Sequence, residues 1–172
     1  MTTIVDKLNL ENTAISTLIY GADQISKNSI AEAIGSSAIK LCEDVLKEQA
    51  QKINYSEKDD HYVNVITGNV SKNWSKKAKE VLARHKDERC NNVLDTYKEV
   101  STVEASHKIA NALKEAVVKS AENFSVDKCV DIAVELREAL FNEDDQKFLD
   151  AYDRNLPTLL LAYYSMISKK AA

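Results

Sequence analysis

Residues 155–170 read NLPTLLLAYYSMISKK, and where this stretch is buried decides the fold. Its apolar side chains are Leu159, Leu160, Leu161, Ala162, Tyr163, Tyr164, Met166 and Ile167, which cover nearly the whole circumference of a helix. A helix that is apolar all round has to be buried. Asn155 and an early Pro157 mark its start, since a proline in the first turn gives up only an N–H that has no partner there. The pattern predicts a helix over 156–168, about 18 Å long at about 1.5 Å per residue. That is too short for a membrane span, which takes about 20 apolar residues. The helix therefore belongs in the centre of its own bundle, or shows one face to a second chain. Leu160, Tyr163 and Tyr164 are the candidates for that face, because a tyrosine hydroxyl wants water or a polar partner. Lys169 and Lys170 suit the negative end of the helix dipole.

The upstream sequence must supply the helices that enclose this one. Three glycines and one proline in 172 residues leave almost no punctuation for hairpins, so the fold class is all-α. A chain of this length buries about 70% of its unfolded surface in one domain, and 44% hydrophobic with 29% charged residues argues against disorder. N-cap side chains recur at Asn28, Ser56, Ser101 and Ser125, with Ser101 and Glu104 forming a capping-box pattern. These starts, with an N-terminal helix over 13–26 and short segments around 90–100 and 145–153, give about seven or eight helices. The expectation is a single compact multi-helix bundle spanning residues 1–172.

The helix after Asn28 is apolar on two faces. Ile30, Ile34, Leu41 and Val45 form one stripe; Gly35, Ile39, Cys42, Leu46 and Ile53 form another. Such a helix is central, or carries an interface on its second stripe, with Gly35 admitting a close neighbour. Gly68, in the next helical pattern, marks a kink or a later start.

Charge is segregated along the chain. Residues 72–89 hold seven basic and three acidic side chains, whereas residues 122–153 hold ten acidic and three basic. On one long helix running to residue 85, Val70, Trp74, Val81 and His85 share a face, and Lys72, Lys76, Lys79 and Lys86 form a basic stripe opposite. Lysines one turn apart can follow a phosphate backbone, but this stripe has no arginine or aromatic group beside it to read bases. Nucleic-acid contact ranks below protein contact for that reason. The two charged segments can instead pair within one fold or between copies. A net charge of -4 gives no general pull toward polyanions.

The residues that chemistry needs are scarce. Di-iron bundles use paired Glu-x-x-His motifs; Glu104 and His107 make one and no second exists, while Glu57, Asp60 and His61 lie at a helix start. All three phenylalanines follow the last histidine, which disfavours a haem pocket. Cys129 shares an apolar face with Val126, Val130 and Ala133, where a thiol is an inert small hydrophobe with a raised pKa. No P-loop, GxGxxG or GxSxG occurs. No metal, cofactor or catalytic residue is expected. Three widely spaced cysteines and no leader in MTTIVDKLNLEN point to the cytoplasm.

VNVITGNVSKNWSKKAKEVLARH loosely resembles a helix of the phycobiliproteins, and ERCNNVLDTYKEV another segment of that family. Here the two are almost adjacent, whereas in the family a long chromophore-bearing stretch separates them. We draw no relation from it.

The sequence points to a non-enzymatic helical interaction or assembly protein, self-associating or bound to a helical partner. One alternative is a sensor or carrier with an apolar cavity lined by Trp74, Tyr163, Tyr164 and Met166; another is a small subunit of a nucleoprotein complex.

Overall fold

The computed structural model describes residues 9–13, 15, 29–53, 59, 63 and 72–171, without the side chains of 29, 72–75 and 167–171. Gly68, residues 57, 60 and 61, and the side chains of Lys72, Trp74 and Ile167 lie outside the described set. Among the described residues, seven helices with defined bounds follow one another in chain order: α1 (Ser29–Gln51), α2 (Lys72–Arg84), α3 (Lys86–Thr96), α4 (Thr102–Glu122), α5 (Val126–Phe141), α6 (Asp145–Arg154) and α7 (Leu156–Ala171). Residues 9–13 are helical as well, and no strand occurs among the described residues. The fold is an all-α multi-helix bundle.

Side-chain caps start two of the helices where the sequence places them, while Asn28, Ser56 and most of the helix expected over 13–26 lie outside the described residues. The Ser101 hydroxyl accepts from the Glu104 N–H at 3.1 Å, and that of Ser125 accepts from the Lys128 N–H at 3.1 Å. Each such cap contributes about 1 kcal/mol. Asn155 does a different job from the one expected. Its amide donates to the Ala151 carbonyl at 2.9 Å and so closes α6, while its own carbonyl accepts from Leu159 at 3.0 Å to begin α7.

The long helix expected to run to residue 85 ends there. A new helix, α3, begins at Lys86, with the Arg89 N–H bonded to the His85 carbonyl at 3.1 Å. The reason is burial. Lys86, Arg89, Cys90 and Val93 are buried together on one face of α3, and Tyr97 just beyond it is buried as well. The chain bends at His85 to turn that face inward.

Two hydrophobic cores result. The first joins Ile34, Cys42 and Leu46 of α1 to Ile109, Leu113 and Val117 of α4, with Val93 and Tyr97 of the α3 segment above them. The second joins Val81 and Leu82 of α2 to Ile132 and Leu136 of α5 and Phe148 of α6. α7 lies between them: Leu156, Leu160 and Leu161 enter the first, and Leu159, Ala162 and Met166 enter the second. A helix with a core on each side has no polar face to spare, which accounts for its all-round apolar sequence.

α1 and α4 pack through small residues. The Ser106 hydroxyl of α4 donates to the Ile34 carbonyl of α1 at 3.1 Å, and the Cys42 thiol of α1 lies 4.0 Å from the Ala110 carbonyl of α4. Gly35, adjacent to that first contact, removes the side chain that would hold the backbones apart.

Candidate interaction surface

The residues chosen from sequence as an interface divide between interior and surface. Gly35, Cys42, Leu46 and Leu160 are buried within the chain, and Ile39 and Tyr164 are partly buried against the first core. Tyr163 stands out, 51% exposed, with its ring edge-on to Tyr164 at 5.7 Å. Met166 is buried in the second core while Tyr164 lies against the first. Tyr163, Tyr164 and Met166 thus face solvent, the first core and the second core in turn, and do not line one apolar cavity.

The basic stripe is shorter than the sequence implies. Lys76 and Lys79 are exposed on α2. Lys86 is not part of it: it belongs to α3, is 7% exposed, and pairs with Glu32 of α1 at 3.1 Å. The bend at His85 takes it out of register with the other lysines.

α5 supplies what the lysines of α2 lack. Val134, Arg137 and Phe141 follow at the i, i+3, i+7 spacing of one helix face, opposite the buried Ile132, Leu136 and Ala139. Phe141 is 56% exposed and Val134 48%. Lys77 Nζ lies 4.4 Å from the centre of the Phe141 ring, and the Arg137 guanidinium 5.4 Å from it. Both are within reach of the negative ring face, an attraction of about 0.5–1 kcal/mol at exposed sites. Val134, Arg137, Glu138, Phe141 and Asn142 line a surface cleft of about 290 Å³.

Helical register sets the charge on either side of this apolar line. Arg137 falls on one flank, with Lys77; Asp127, Asp131 and Glu138 fall on the other. Glu135, further round on the acidic flank, reaches Arg154 of α6 at 2.5 Å, which confirms that α6 lies on that side. Lys77 and Arg137 have no carboxylate partner among the described residues.

No protein-family model, curated protein or solved structure matches this chain.

Other polar groups hold the fold together. Arg84 grips Asp145 with Nη2 at 2.9 Å and Nε at 3.2 Å, and His85 Nε2 lies 2.8 Å from the same carboxylate. The Arg84 hydrogen bond first, then that of His85, holds the Asp145 carboxyl below the usual carboxylate range. The basic and acidic segments of the sequence therefore meet in part within one chain. Behind α3, Arg89 pairs with buried Asp153, which also accepts from Thr13 at 2.8 Å. The Tyr97 hydroxyl donates to Glu11 at 2.9 Å, and burial beside that carboxylate pushes its pKa up.

All three cysteines are free and buried. Burial raises the thiols of Cys42 and Cys129 to about 11, which keeps them protonated and unreactive at neutral pH. Glu104 and His107 are both exposed at the start of α4. Among the described residues no three or more metal-ligating side chains cluster, and no helix is long and apolar enough to cross a membrane.

Sequence reasoning missed Phe141 and Val134. A signal was there: two large apolar residues seven apart on the charged face of residues 126–141. The net charge of the segment masks it, and Lys77, the contact that gives Phe141 its setting, comes from sixty-four residues away.

Proposed function

We propose that this chain is a non-enzymatic interaction protein that acts by seating the α2–α5 surface on another protein. The observation that carries the reading is Phe141, more than half exposed, with two cations on its ring, on the solvent side of the second core. Exposed aromatic residues beside arginine, ringed by charge, are the usual anchors of protein interfaces. A phosphate backbone would also attract Lys76, Lys77 and Lys79. It would meet Asp127, Asp131 and Glu138 on the other side of the same ring, and this favours a protein partner.

The test is photo-crosslinking in the source cells, with a photoreactive phenylalanine analogue at position 141 and, as a comparison, at position 163. Discrete protein adducts at 141 are the expected result. Adducts at neither position, or adducts at 141 that disappear with nuclease, would overturn the reading.

A further inference from the structure

We infer that the partner on this surface is a second copy of the chain, joined through a two-fold axis running along the Val134–Phe141 line. The inference rests on the interaction reading above and adds the identity of the partner.

The surface is self-complementary. The surface has three strips: cations from α2 and Arg137, the apolar pair, and the carboxylates Asp131 and Glu138 with Asp127 a turn before. A two-fold axis along the apolar strip lays Phe141 and Val134 on their own copies. It simultaneously exchanges the flanks, so that Lys77 and Arg137 of one protomer face the acidic flank of the other, with Glu138 level with them and Asp131 about two turns further along the axis, twice over. An axis across the strip would stack like charges, so the charge pattern selects one orientation. A partner of uniform sign would satisfy one flank and oppose the other. A second copy satisfies both.

Free capacity on the two flanks supports the pairing. Lys77, Arg137, Asp131 and Glu138 make no ion pair within the chain among the described residues, whereas Glu135, one step outside the cleft, already holds Arg154. Of these, Lys77, Arg137 and Glu138 lie beside the exposed ring, and Asp131 is one turn from Val134. Central aromatics shielded by a charged rim carry most of the energy in such an interface, while the rim sets orientation and encounter rate.

The experiment is sedimentation velocity on the full chain and two charge-reversal variants, Lys77→Glu/Arg137→Glu and Asp131→Lys/Glu138→Lys. The wild type is expected to dimerise as concentration rises. Each variant alone has like charges on both flanks and is expected to stay monomeric, while an equimolar mixture of the two restores a heterodimer. Phe141→Glu is expected to weaken the dimer by at least about thirtyfold, the loss of a central anchor. All five positions are on the surface, and circular dichroism checks that each variant keeps its helices. A wild type that is monomeric throughout overturns the inference but leaves the interaction reading to the crosslinked adducts. A dimer indifferent to these changes overturns this surface, and a mixture that stays monomeric overturns the two-fold arrangement.

Discussion

The two cores on either side of α7 are closed in different ways. Over the first, α3 is held down by charges taken out of water: Lys86 on Glu32, Arg89 on Asp153, and the Tyr97 hydroxyl on Glu11. Around the second, the ion pairs Arg84–Asp145 and Arg154–Glu135 sit at the rim, in contact with solvent. Attraction between buried charges is offset by their desolvation, so such pairs add little stability over apolar replacements. Losing one member is nonetheless severe, since it strands the other. Buried pairs therefore fix which face of α3 points inward, and rim pairs only trim the surface. The proposed interaction surface belongs to the second core, whose solvent side carries Phe141.

The sharpest way to break this contrast is to cut one pair of each kind. Arg89→Leu leaves Asp153 buried without its guanidinium and is expected to cost about 3–5 kcal/mol. The double replacement Arg89→Leu/Asp153→Leu should recover most of that loss. Arg154→Ala, at the rim, should cost less than about 1 kcal/mol. Urea unfolding of the four proteins measures all three, and equal losses for Arg89→Leu and Arg154→Ala would show that the two kinds of pair do the same work.

α7 makes the cores interdependent, and Leu161→Ala tests how closely. Leu161 is fully buried in the first core, so the truncation should cost about 3 kcal/mol in transfer and cavity terms. Because the next residue, Ala162, is in the second core, both should melt together at a lower temperature. Two separate transitions, one at the wild-type temperature, would show that the cores stand independently.

How legible this was depends on how the physics is written in the chain. The burial of residues 156–166 was readable because an apolar circumference admits few alternatives, and the caps at Ser101 and Ser125 are local hydrogen bonds with fixed spacing. α3 was not. Its inward face, Lys86, Arg89, Cys90, Val93 and then Tyr97, has a helical period, but two of the five are cations that a hydrophobic pattern counts as solvent-facing. Only the distant carboxylates Glu32 and Asp153 reveal that they are inside. The candidate surface failed for the same reason: Phe141 looks like the end of an acidic helix until α2 brings Lys77 to it. Pairings that join distant stretches of chain leave no local mark.

At the rim, the Arg84–Asp145 pair should show in the acid limb of stability. Asp145 is held below its ordinary pKa in the folded state, so its contribution is present above the unfolded value of about 3.9 and is lost as pH falls through the folded one. Removing the guanidinium with Arg84→Ala raises the folded pKa. The gap between wild type and variant, under about 1 kcal/mol at pH 7 for an exposed pair, should therefore close as the pH drops below about 3.9. A gap that stays constant down to low pH would assign the effect to packing by Arg84.

The smallest effect tests the turn beside the candidate surface. Glu143 has φ 54, in the left-handed region, and the Asp144 N–H bonds the Ala139 carbonyl at 3.0 Å while the Glu143 N–H bonds that of Leu140 at 3.2 Å. This is the pattern of a helix end that glycine ordinarily completes, since a Cβ crowds the following carbonyl in that conformation. Glycine at 143 relieves the crowding but gives the unfolded chain more freedom, so Glu143→Gly should stabilise by a net amount of about 0.5–1 kcal/mol. The turn connects the end of α5 to Asp144 and Asp145, which cap α6 and bind Arg84. A loss of stability on substitution would therefore mean that the Glu143 carboxylate, one of the charges near Arg84, contributes more to joining α2 to this corner than its strained backbone costs.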